Sequence, residues 1–169
     1  MSARAARRSW IAGMIVGAVA FPAAGAWAER APRPADLVIL QERQTMQGPE
    51  WIGVFGVVVD PEQAGMRRVR IWQETLDTTT TSTDVIHCSS KAPMRITGDG
   101  SGTKRRVIVR ELNPGGLVTA ANRLDHKIWW ATCVPGQAGR DPAELGVVAR
   151  QLGYNGNLSE REQVLVAPP

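Results

Sequence analysis

Two histidines and two cysteines hold all the imidazole and thiol chemistry of this 169-residue chain, and one of each stands side by side in "DVIHCSS" as His87-Cys88. Together with His126 and Cys133 they have the composition of a Cys2His2 zinc site or of a Cys-His nucleophile. A structural zinc site draws its ligands as close pairs two to five residues apart, a spacing these four residues do not have. If "DVIHCSS" is extended, neighbouring side chains point to opposite faces of the strand, and His87 and Cys88 do not converge on one metal. The competing reading is a single disulfide, Cys88 to Cys133. It would close a loop of about 46 residues and stabilise the fold by about 4 kcal/mol. A free or intermolecular thiol is the remaining alternative.

Other patterns carry less chemistry. "SGTK", Ser101 to Lys104, matches the Ser-x-x-Lys of serine acyl-enzymes, but the Ser-Asp-Asn and Lys-Thr-Gly elements of that machinery are absent. The flanking glycines favour a hairpin turn. "DGSGT" echoes oxygen-ligand cation loops yet lacks nearby carboxylates. No Gly-x-Ser-x-Gly, His-Glu-x-x-His or phosphate-binding glycine loop occurs. The expectation is therefore a protein with no catalytic, cofactor or metal residues. Carboxylate pairs cannot be assembled from sequence alone.

Two basic clusters remain: Arg67, Arg68 and Arg70, and Lys104, Arg105, Arg106 and Arg110. On neighbouring strands they would form one cationic patch for a protein or an anionic glycan. The competing reading is that they are edge charges that prevent strand-to-strand association.

Compartment decides how the cysteines are read. The chain opens "MSARAARRSWIAGMIVGAVAFPAAGAWAE", a basic start, a short apolar run and an Ala-x-Ala end, the three parts of a secretory signal peptide over residues 1–28. The apolar run is shorter than the roughly 20 residues that span a membrane. The expected location is periplasmic or secreted, in a bacterium, where paired thiols persist. The chain has 20 Lys+Arg and 16 Asp+Glu, and three of the arginines fall in that segment, which has no acid. The mature domain is thus nearly neutral, which argues against nucleic acid as a partner.

The elements that must position these residues read as strands. After a polar arm at 29–36, "LVILQERQ", "WIGVFGVVVD", "MRRVRIWQETLD", "DVIHCSS", "APMRITG", "TKRRVIVREL" and "HKIWWATCV" are β-branched or aromatic runs divided by glycine, proline and aspartate turns. On such strands Val69 and Ile71 share one face with Trp72 on the other, and adjacent Trp129 and Trp130 must face apart. "DPAELGVVARQLG" carries helix signals: Asp141 as N-cap, Pro142 at the first position, Glu144 completing a capping box, and Gly153 as the stop. Leu145, Val148 and Leu152 fall on one stripe of it. The expectation is an α+β domain over 37–153: an antiparallel sheet of about six strands, one C-terminal helix packed on it, and one disulfide. Residues 154–169 are expected as a tail.

"VVVDPEQAGMRRVRIWQETL" followed by "VIHCSSKAPMRITGDGSG" resembles the surface-adhesin E-like family of small exported bacterial proteins. In that family an Asp-containing turn precedes an Arg/Trp strand, and a Cys-bearing strand then leads to an Arg and a Gly/Ser turn. The resemblance implies an antiparallel sheet with a helix, and binding to host matrix proteins at a cell surface. Here Cys133 precedes "PGQ" instead of following a Pro-Gly-Ser segment, and no cysteine for a lipid anchor follows the leader. The function expected is an exported, non-enzymatic binding or envelope-associated protein. One alternative is an inhibitor of an exported enzyme such as lysozyme, since "SGTKR" resembles the Ser-Gly loop of periplasmic lysozyme inhibitors. A small periplasmic hydrolase is the other.

Overall fold

The computed structural model describes residues 31–99 and 106–166. The segment 1–28 expected as a signal peptide, the "SGTK" motif, Lys104 and Arg105 lie outside the described residues. Seven strands form one sheet: β1 (Val38–Thr45), β2 (Gly48–Val59), β3 (Met66–Glu74), β4 (Thr79–His87), β5 (Met94–Asp99), β6 (Arg106–Glu111) and β7 (Arg161–Val166). They lie in chain order, each antiparallel to its neighbour. At the first hairpin Gly48 has φ +109°, a backbone conformation that side-chain-bearing residues rarely adopt, and this lets the chain reverse over Met46 and Gln47.

Strand alternation gives the sheet two different faces. Val54 pairs with Ile71, and Ile52, Val69 and Ile86 share that face and are buried. Across it lies helix α1 (Arg123–Cys133). Asp125 in its first turn complements the positive end of the helix, and Pro135, just past Val134, prevents its continuation. Ile128, Trp129, Trp130, Ala131 and Thr132 are all buried. Both sides of α1 are covered, one by the sheet and the other by Leu145, Ala149 and Tyr154. The Trp129 ring meets Trp130 edge-on at 5.2 Å and Tyr154 at 5.0 Å.

This arrangement corrects the α+β expectation. The chain is a β-rich fold, with 43% of the described residues in strands and 18% helical, and the sheet has seven strands instead of about six. "HKIWWATCV" is helical. Its aromatic and β-branched residues favour a strand, but packing on every side stabilises the helix and erases the one-sided pattern by which a buried helix is recognised. Trp129 and Trp130 accordingly do not divide between core and surface, for both are buried. The predicted C-terminal helix is only a 3-10 turn (Pro142–Glu144) followed by the short α2 (Gly146–Gln151). Its start and stop signals operate locally: Asp141 accepts from the Ala143 N–H, and Gly153 has φ +88°. Leu145 is buried while Leu152 is exposed, so the expected stripe does not cover the sheet. The segment expected as a tail supplies β7 instead.

Candidate functional site

The four thiol and imidazole residues diverge. Cys88 and Cys133 form a disulfide with Cα atoms 5.4 Å apart, joining the end of β4 to the end of α1. His87 points to the opposite face of the strand, where its Nδ1 donates to the Ala92 carbonyl at 2.8 Å. His126 is buried on α1 and its Nε2 donates to Glu160 Oε1 at 2.6 Å. Among the described residues no three His, Cys, Asp or Glu side chains are grouped to hold a metal ion.

The basic residues are spread over both faces. Arg67 turns toward the helix and donates to the Thr132 carbonyl at 2.5 Å, satisfying a backbone group that the end of α1 leaves open. Arg68 and Arg70 face the other way. Arg68 lies 3.4 Å from Asp60, and the Arg70 guanidinium lies 5.8 Å from the Phe55 ring centre. Strands β4 and β5 separate them from Arg106 and Arg110, which alternate onto the helix side of β6. Among the described residues, Arg67, Arg68 and Arg70 are therefore not brought together with Arg106 and Arg110.

Apart from Arg110, the charged groups the structure does gather are ones to which the sequence alone assigns no role. A cleft of about 380 Å³ opens between the start of α1 and strands β4 to β6, with Asp84, Arg95, Thr97, Arg110, Leu124 and Asp125 among its walls. Asp84 is buried at its floor. Arg95 donates to Asp84 Oδ2 from Nε at 2.7 Å, with its Nη2 2.7 Å from the same oxygen, and to Asp125 Oδ1 from Nη1 at 2.5 Å. Arg110 stands 3.8 Å from Asp125 and 2.8 Å from Glu162 on β7. Burial pushes the Asp84 carboxyl above the usual aspartate range and the nearby Asp125 charge adds to that, while Arg95 opposes the shift. One signal for Asp84 was present in the sequence: on a strand it shares the phase of Ile86 and Cys88, which places a carboxylate on the core face. Asp125 carries no such signal where "HKIWWATCV" reads as extended, and Glu160 none where 154–169 reads as a tail.

An adjoining hollow of about 220 Å³ reaches the foot of β7. There Glu160 accepts from the Asn113 N–H (3.1 Å), from Asn122 Nδ2 (2.8 Å) and from His126. These bonds fix the point at which β7 joins the sheet. Beyond it, among the described residues, β7 pairs with β6 on one side only, and Val164, Leu165 and Val166 are 52%, 54% and 53% exposed. An edge of that kind presents unpaired backbone donors and acceptors beside apolar side chains, the surface to which another strand can add. No described helix is long and apolar enough to cross a membrane.

Compared with known proteins, the chain matches no family model, no curated protein and no solved structure.

Proposed function

We propose that the protein is an exported, non-enzymatic binding module of the cell envelope that takes a protein partner as an added strand along β7. The single observation that carries this reading is β7 itself, open along one edge among the described residues and apolar over its last three residues. Monomeric proteins usually shield such an edge with lysines, prolines or a covering segment. The 1–28 leader pattern and the pairing of the only two cysteines support export. The resemblance to the surface-adhesin E-like family supports binding as the class of function.

Hydrolysis fits the cleft less well. Asp84 and Asp125 both face it, yet Arg95 bridges the two carboxyls and holds them as hydrogen-bond acceptors. A general acid must have a proton free to give.

The test uses the mature chain as bait in an envelope extract, beside a Leu165→Lys/Val166→Lys variant whose edge lysines repel an incoming strand. Partners held by the native chain and lost by the variant, with the circular dichroism of both unchanged, are the expected result. Capture of the same partners by both chains, or of none by either, overturns the reading.

A further inference from the structure

A further hollow, of about 320 Å³, lies at the end of the sheet where β5 begins and β6 ends. Its floor is apolar: Pro93 and Leu112 are buried, and Met94 and Leu158 adjoin them. Three charged side chains also line it, Lys91 and Arg161, which are exposed, and Glu111, which is half-buried. Arg95 pairs with Ile86 on the α1 face, so Met94 and its cross-strand neighbours Glu111 and Arg161 point to the other face.

Glu111 and Arg161 are directly opposite in the β6–β7 register, where Cβ atoms lie about 4.5–5.5 Å apart. The next pair along, Arg110 and Glu162, closes into an ion pair at 2.8 Å. Glu111 and Arg161 do not close. Among the described residues no ion pair or side-chain hydrogen bond engages either of them, or the Lys91 ammonium. The walls around these open charges are tied down. Leu112 N–H donates to the Pro93 carbonyl at 2.8 Å, the Ala92 carbonyl accepts from His87 at 2.8 Å, and Leu158 N–H donates to Asn113 Oδ1 at 3.3 Å. A hollow held in this way needs little ordering to receive a ligand.

Charge and size together select the occupant. A plain anion meets Glu111 beside its two cations, and a plain cation meets Lys91 and Arg161; like charges in contact are unfavourable. A molecule with an ammonium and a carboxylate side by side satisfies all three groups through charge-assisted bonds. An α-amino acid carries both on one carbon, close enough to serve two cross-strand neighbours at once. An apolar side chain on that carbon covers the floor and leaves water. Ligand pockets run from about 300 to 1,000 Å³, and this one stands at the small end, sized for one amino acid and too small for a lipid.

We propose that Lys91, Glu111 and Arg161, above this apolar floor, form a binding site for a free apolar α-amino acid. The two cations take its carboxylate, Glu111 takes its ammonium, and its side chain lies on Met94 and Leu112. The site does not depend on the docking of a strand at β7.

Methyl-labelled methionine reads the site, because Met94 lines the hollow while Met46, fully exposed beside the β1–β2 hairpin, gives a reference in the same spectrum. Leucine titrated into the unaltered mature chain should move the Met94 methyl resonance saturably and leave Met46 in place. Leucine amide lacks the carboxylate and isocaproate lacks the ammonium, so each should bind more weakly by about tenfold or more through the loss of a charge-assisted bond. Glycine, which has no side chain for the floor, should also bind about tenfold more weakly. No saturable Met94 shift with leucine at millimolar concentration, or equal affinities across the series, overturns the proposal. Tighter binding of isocaproate than of leucine overturns it in favour of a plain carboxylate ligand. This series needs no variant to fold. In a Glu111→Gln chain whose Met46 and Met66 resonances are native, the preference for leucine over isocaproate should disappear; a preference that persists also overturns the proposal.

Discussion

Replacing Arg95 by Met and Asp84 by Asn should have very unequal effects, although the two side chains are bonded to each other. Arg95 makes charge-assisted bonds to both Asp84 and Asp125, and each such bond contributes about 1.5–3 kcal/mol. Arg95→Met leaves two carboxylates facing one another, with only the more distant Arg110 to offset them. Removing one partner of a buried ion pair costs about 3–5 kcal/mol, and that is the expected loss at neutral pH. Asp84→Asn keeps an oxygen acceptor for Arg95 and removes a charge that burial already disfavours, so it should cost far less. The pH dependence fixes the sign. Because the folded state raises the Asp84 pKa, the stability tied to its neutral form is fully present below the ordinary aspartate value of about 3.9 and is lost as pH rises through the raised value. Asp84→Asn should flatten that decline. Urea unfolding at several pH values, followed by circular dichroism, measures both effects. Equal losses in the two variants, or an unchanged pH slope in Asp84→Asn, would refute this account of the network.

Two further predictions concern the staple and the sheet edge. Replacing Cys88 and Cys133 together by Ala should lower stability by about 4 kcal/mol through loop entropy released in the unfolded chain, and should raise the urea m-value because that chain exposes more surface; a loss under 1 kcal/mol would count against it. Glu50 is bonded to Arg43 and to Gln73, and the Arg43 hydrogen bond is the main cause that holds its carboxyl below the usual range. Its contribution is therefore fully present above about pH 4.3 and lost as pH falls through the lowered value, so Glu50→Gln should be less acid-sensitive than the native chain in thermal melts between pH 2 and 5.

The parts of this fold legible in sequence are those with a local cause. Val69 and Ile71 against Trp72, and Ile86 against His87, follow from strand alternation, and the structure keeps each on its expected side. The disulfide follows from there being two cysteines and an opening segment that reads as a signal peptide. Helix α1 is not legible, because Ile128, Trp129 and Trp130 are buried on every side and leave no polar stripe to mark its period. Missing the helix also hid the cleft, since Asp125 and His126 face their partners only once wound into a turn. Strand β7 was hidden for the opposite reason. "REQVLV" has a single apolar run and all six residues exposed, so no buried face imposes alternation on it.

The helix is fixed at both ends by different chemistry. Cys88–Cys133 and the Arg67 side chain hold its C-terminal end, while Asp125, reaching Arg95 and Arg110, holds its N-terminal end. A helix pinned twice cannot tilt without breaking a covalent bond or stranding a buried charge, so the cleft beside its first turn is rigid. Strand β7 is held on one side by β6 and at its foot by Glu160. A segment added to its free edge would extend the ladder without disturbing helix, disulfide or cleft. Binding along a preformed edge requires little ordering of the host, and the incoming segment bears most of the entropic cost. That division of rigidity is what a receptor for extended chains needs, and it favours β7, over the cleft, as the surface for the proposed protein partner.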